Sequence, residues 1–91
     1  MTGLMLILNK PRQAGPYSDR DIGCQEALEQ AFLDLAKGLT PDSIVDTAGG
    51  KLSPVLMALA QRAKAVGWTS EEAEVAISEL AQNLLDDMSS M

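Results

Sequence analysis

The chain has 91 residues, of which 46% are hydrophobic and 22% charged, with a formal net charge of −6, one cysteine and no histidine. That length allows one domain with a modest core. A lone Cys24 excludes an intrachain disulfide, and without histidine the usual general base at neutral pH is missing.

The N-terminus opens with an apolar stretch, Met1 to Leu8. It has no cationic leader and no full-length apolar core, so it does not read as a secretory signal. No stretch approaches the length of a membrane span. A reducing cytoplasm is the expected compartment. Within this stretch Leu4–Leu8 is an unbroken apolar run. Periodicity does not separate a strand, an extended arm or a helix start in so short a run. Left bare, it would be a liability, so it is expected to pack on its own core or on a second copy. Pro11, Gly15 and Pro16 then mark a loop, with no regular structure from Asn9 to Tyr17. Residues 1–17 are read as an arm and loop, and residues 18–91 as the helical domain.

Ser18 or Asp19 caps the first helix, with Asp21 in its opening turn. The spacing predicts a helix from Asp19 to Lys37, with Ile22, Leu28, Ala31, Phe32, Leu35 and Leu39 on the apolar face and Cys24 at its edge. Gly38 is expected to end it as a left-handed residue, with Leu39 folding back. Thr40-Pro41 with Asp42 gives a cap, a first-position proline and a helix-favouring charge. That segment runs to Ala48, long enough for a short helix only, and Gly49-Gly50 ends it.

Ser53-Pro54 opens the next helix in the same way. Leu52, Val55, Leu56, Leu59, Ala60, Ala63 and Val66 recur at helical spacing, while Arg62 and Lys64 sit near the C-terminus, where the macrodipole favours cations. Gly67 is the stop, and Trp68 is the apolar residue expected to fold back on the last turn. Thr69 and Glu72 make a capping box that starts the last helix at once. Its stripe is Ala73, Ala76, Ile77, Leu80, Leu84 and Met88. So short a link makes the two helices close neighbours, and the pair from Leu52 to Met88 is the element around which the rest is expected to pack.

Charge is distributed unevenly along this plan. Residues 1–67 hold seven basic and seven acidic side chains, whereas residues 68–91 hold six acidic ones and no Lys or Arg. The last helix therefore carries the whole net charge. A solvated face is one reading, and a docking face for a basic partner is the other.

The link between the last two helices resembles two known arrangements. Ala63, Gly67, Thr69, Ala73 and Ala76 are similar to the helix-turn-helix of bacterial DNA-binding regulators. That resemblance implies nucleic-acid binding through the last helix, yet its leading residues are Ser70, Glu71, Glu72 and Glu74, and DNA affinity rests on cations neutralising phosphates. Gly67, Trp68, Thr69, Ala73, Ala76 and Ile77 resemble the glycine-aromatic loop and following helix of ubiquitin-associated domains. This likeness implies a protein-binding module in which Trp68 touches a partner; the competing reading makes Trp68 a core plug. Asp42-Ser43-Ile44 resembles the attachment motif of acyl carrier proteins, which implies phosphopantetheine on Ser43, although Gly49-Gly50 interrupts the helix that the motif would open.

Catalytic and metal chemistry find little support. Cys24 reads as a small buried hydrophobe with neither a histidine partner nor a cation to lower its pKa. Asp19-x-Asp21-x-Gly23 is a fragment of a calcium loop, with Gln30 where the bidentate acid belongs. Gly49-Gly50-Lys51 lacks both the upstream glycine and the hydroxyl residue of a phosphate loop. The expectation is therefore an all-α bundle of three main helices plus one short helix with an extended N-terminal arm. It is read as a non-enzymatic, cytoplasmic homodimer, needing no cofactor or metal, that engages a basic protein partner through Trp68, Glu71, Glu72 and Glu74. A helix-turn-helix-like nucleic-acid regulator and a carrier modified on Ser43 are the alternatives.

Overall fold

The computed structural model describes Pro11 and residues 20–89. Four helices form, α1 (Arg20–Ala36), α2 (Pro41–Ala48), α3 (Pro54–Ala65) and α4 (Ser70–Ser89), with no strand among the described residues. This is the expected all-α bundle of three main helices and a short one. The Leu4–Leu8 run, the loop around Gly15 and the Ser18 or Asp19 cap lie outside the described residues.

α4 is the element on which the other three pack, and α1 also touches α3. α1 runs beside α4 in the same direction: Arg20 pairs with Glu72, and Gln25 donates to Glu79 further along. α2 runs the opposite way, since the hydroxyl of Ser78 donates to the Ala48 carbonyl at 2.9 Å while Ile44 lies near Leu84. That bond also satisfies one of the orphan carbonyls at the C-terminus of α2. Small residues on α4 permit this crowding. Ala73, Ala76 and Ala81 are buried together with Ile77 and Leu80. Phe32 and Leu28 of α1, and Leu56 and Leu59 of α3, fill the space between. Burying each such side chain contributes roughly 2 kcal/mol.

Two helix ends follow the local rules closely. Gly50 takes φ +98°, its N–H donates to Thr47 O at 2.9 Å, and Lys51 N–H donates to Asp46 O at 2.8 Å, which together form a Schellman motif. Gly67 takes φ +120°, with Gly67 N–H on Lys64 O and Trp68 N–H on Ala63 O, both at 3.1 Å. At the other end of α2, Thr40 caps as expected, its hydroxyl accepting from Ser43 N–H at 3.1 Å.

Four expectations need correction. Gly38 is not left-handed: α1 ends in tight turns, with Gly38 N–H on Leu35 O and Leu39 N–H on Ala36 O, both at 3.0 Å. Such i to i+3 bonds satisfy the last carbonyls without a positive φ. Ser53 holds the N-cap backbone conformation, but its side chain makes no capping bond, and its Oγ is buried with no hydrogen-bond partner. Ile22 and Val55, placed on apolar faces by their spacing, are 54% and 44% exposed. Met88, assigned to the stripe of α4, is 47% exposed and borders a groove with Leu33 and Pro41.

Candidate functional site

The N-terminus of α4 is built by its own sequence. Thr69 Oγ1 accepts from Glu72 N–H at 3.0 Å, and the Glu72 carboxylate accepts from Thr69 N–H at 2.8 Å. This is the complete reciprocal capping box. Arg20 of α1 closes over it. Its guanidinium pairs with Glu72, donates to the Gly67 carbonyl at 3.1 Å, and lies 5.3 Å from the centre of the Trp68 ring. That separation is within cation–π range. Pro11 completes the cluster, because a Cβ placed on Gly67 would come within 3.0 Å of its Cδ.

The electrostatics of this cluster follow from its contacts. Burial works to raise the Glu72 pKa, but the Arg20 hydrogen bond, the Thr69 N–H, the Arg20 charge and the Thr69 hydroxyl together hold it below the ordinary value of 4.5. Cys24 is fully buried nearby, and its thiol is pushed up to about 12. Burial is the main cause and Glu72 adds to it, while Arg20 opposes both. The sequence reading missed that cation, since a neighbour brought in by helix packing leaves no local signature. Its pull is outweighed, so Cys24 stays a protonated core residue with little nucleophilic character.

The four residues expected to meet a partner divide into two pairs. Trp68 is 3% exposed and plugs the core, and Glu72 is committed to the capping box and Arg20. Glu71 and Glu74 are exposed. Further along α4, Glu79, Asp86 and Asp87 are exposed as well. Between α1 and α4 runs a groove of about 220 Å³ with Asp21, Glu71, Glu72 and Glu79 around it and Val75 and Ala76 as its apolar base. Val75 is 55% exposed, so an apolar surface ringed by carboxylates faces outward. Asp21 and Val75 were not assigned to a site from the sequence. Their juxtaposition depends on the parallel course of α1 and α4.

A second groove, of about 510 Å³, lies at the other end of the bundle. It is lined by Leu33, Ala36 and Leu39, by Pro41 and Ile44, by Leu84 and Met88, and by Lys37. Ser43 is half-buried in the first turn of α2, a helix of eight residues. Among the described residues no group of three or more His, Cys, Asp or Glu is placed to hold a metal ion, and no helix is long and apolar enough to cross a membrane.

In comparisons with protein-family models, with curated proteins and with solved structures, the chain matches none.

Proposed function

We propose that this chain is a protein–protein interaction module whose docking face is the acidic side of α4, engaging a basic segment of another protein. The supporting observation is that Glu71 and Glu79 flank the exposed Val75, with Glu74 exposed on the same helix, on a stretch with no Lys or Arg from residue 68 onward. Carboxylates around an apolar base suit a partner that presents Lys or Arg with their aliphatic stems. The module acts as a homodimer in the cytoplasm under this reading. The same acidity opposes nucleic acid, whose phosphates need cations opposite them.

Charge reversal tests the reading. A cationic amphipathic peptide of Leu and Lys is titrated into the wild type, into Glu74→Lys/Glu79→Lys, and into Glu26→Lys/Glu29→Lys. The two variants share one net charge, and all four glutamates are exposed. Affinity is expected to fall at least tenfold for the α4 pair and far less for the α1 pair. Equal losses in both variants, or no binding by the wild type at 0.15 M salt, would defeat the proposal. Glu72 is left intact because its carboxylate helps hold the fold.

A further inference from the structure

Two helices each present an outward stripe of mixed character. On α1, Glu26, Glu29 and Leu33 follow at i, i+3 and i+7 and so share one face. Both glutamates are exposed, and Leu33 is 37% exposed. On α3, Met57, Gln61 and Lys64 follow at i, i+4 and i+7 and share a face in the same way. Gln61 and Lys64 are exposed, and Met57 is 57% exposed. The first stripe is acidic with an apolar end. The second is basic with an apolar end, on a stretch, residues 47–70, that holds Lys51, Arg62 and Lys64 and no acidic residue. Among the described residues, Glu26, Glu29 and Lys64 enter no ion pair.

Laid against each other in opposite directions, the stripes match position by position. Met57 falls on Leu33, Gln61 on Glu29 and Lys64 on Glu26, because the forward steps along α3 equal the backward steps along α1. At a rise of about 1.5 Å per residue, each stripe holds its apolar and charged ends about 10 Å apart. The match supplies an apolar contact, an amide that can donate to a carboxylate, and a pair of opposite charges. The acidic side of α4 has a different order, with Val75 between Glu71 and Glu79, and does not fit the α3 stripe in this way. Within one copy the two stripes do not meet, since Leu33 and Met57 are both exposed.

We propose that the α1 stripe of one copy receives the α3 stripe of a second copy in this antiparallel register. The proposal rests on the homodimer reading above and names the contact that would make it. Each copy carries both stripes, so the contact is made twice and closes a two-fold pair. Covering Leu33 and Met57 drives association, and the Glu26–Lys64 pairing fixes the register. Arg20, Trp68 and Glu72 take no part in it, and the acidic side of α4 stays open to a basic partner.

Charge exchange between chains tests this in the full chain. Light scattering across a dilution series is run on the wild type, on Glu26→Lys, on Lys64→Glu, and on an equimolar mixture of the two variants. Each variant alone sets like charges against each other at both contacts of the pair. In the mixed pair both contacts again join opposite charges. The wild type is expected to show twice the chain mass at micromolar concentration. Each variant should keep the helical spectrum while its concentration of half-dissociation rises at least tenfold, and the mixture should return to within about threefold of the wild type. Met57→Ser, which leaves every charge in place, should also raise that concentration at least tenfold. A wild-type dimer that neither charge variant weakens, or that the mixture does not restore, would overturn this contact and leave the homodimer reading standing. A monomeric wild type at micromolar concentration would overturn both.

Discussion

The two ends of the α1–α4 pair are built on opposite principles. At the α3–α4 turn, Arg20, Gly67, Trp68, Thr69 and Glu72 satisfy one another through a capping box, an ion pair, a carbonyl bond and a cation–π contact. At the other end, Leu33 and Met88 stay exposed around an apolar groove, and Gly38 ends α1 with plain tight turns. The contrast teaches where the fold's polar and apolar surfaces are used up. One end is completed by contacts among its own side chains, and the other keeps apolar side chains exposed.

Substitutions should break this contrast in a graded way. The largest loss is expected for Trp68→Ala, about 3–5 kcal/mol, because a buried indole leaves a cavity and Arg20 loses its ring. Met88→Ala at the opposite end should change stability by less than about 0.5 kcal/mol when measured as a monomer. Chemical denaturation of both variants gives the two numbers. Next comes Gly67→Ala, at roughly 2 kcal/mol, since φ +120° is strained for any side chain and Pro11 stands against the new Cβ. Gly38→Ala should instead be neutral or stabilise by about 0.5 kcal/mol, because Gly38 needs no positive φ and the added Cβ meets only Leu35 O at 3.7 Å. Thermal melts should therefore show a clear drop for Gly67→Ala and none for Gly38→Ala.

Smaller effects sharpen the comparison at the caps. Thr69→Ala should cost about 1 kcal/mol, whereas Ser53→Ala, which removes a buried hydroxyl without a partner, should cost nothing measurable. Acid dependence follows from Glu72. Its folded pKa lies below the ordinary 4.5, so its contribution is present above that value and is lost as pH falls through the folded pKa. Urea midpoints measured between pH 6 and pH 3 should fall on the acid side in the wild type. In Arg20→Ala the fall should be shallower, because the pairing that lowers the pKa is gone.

What was legible beforehand was local chemistry. Gly67 with Trp68, Thr69 with Glu72, Thr40 with Pro41, and Gly49-Gly50 each act within one helical turn, and each appears in the structure as read. Helical spacing also found most of the core, including Phe32, Leu56 and Ile77. The misses are questions of neighbourhood. Spacing puts Ile22 and Val55 on a helix face but does not reveal which flank another helix covers. Arg20 meets Glu72 across 52 positions of sequence, a contact created by α1 lying parallel to α4. The acidic groove shows the same limit: Glu71 stood out by charge, whereas Asp21 and Val75 join it only through packing.

The central claim is that Arg20, Trp68 and Glu72 complete the turn end within one chain, and that the homodimer proposed above forms away from it. An amide correlation spectrum recorded during serial dilution tests it most directly. The account predicts that the Trp68 indole and the amides of Ala73 and Ile77 stay in place as the proposed homodimer dissociates, while signals elsewhere shift or double. Dilution that leaves every signal unmoved, or that moves the Trp68 end instead, would contradict it.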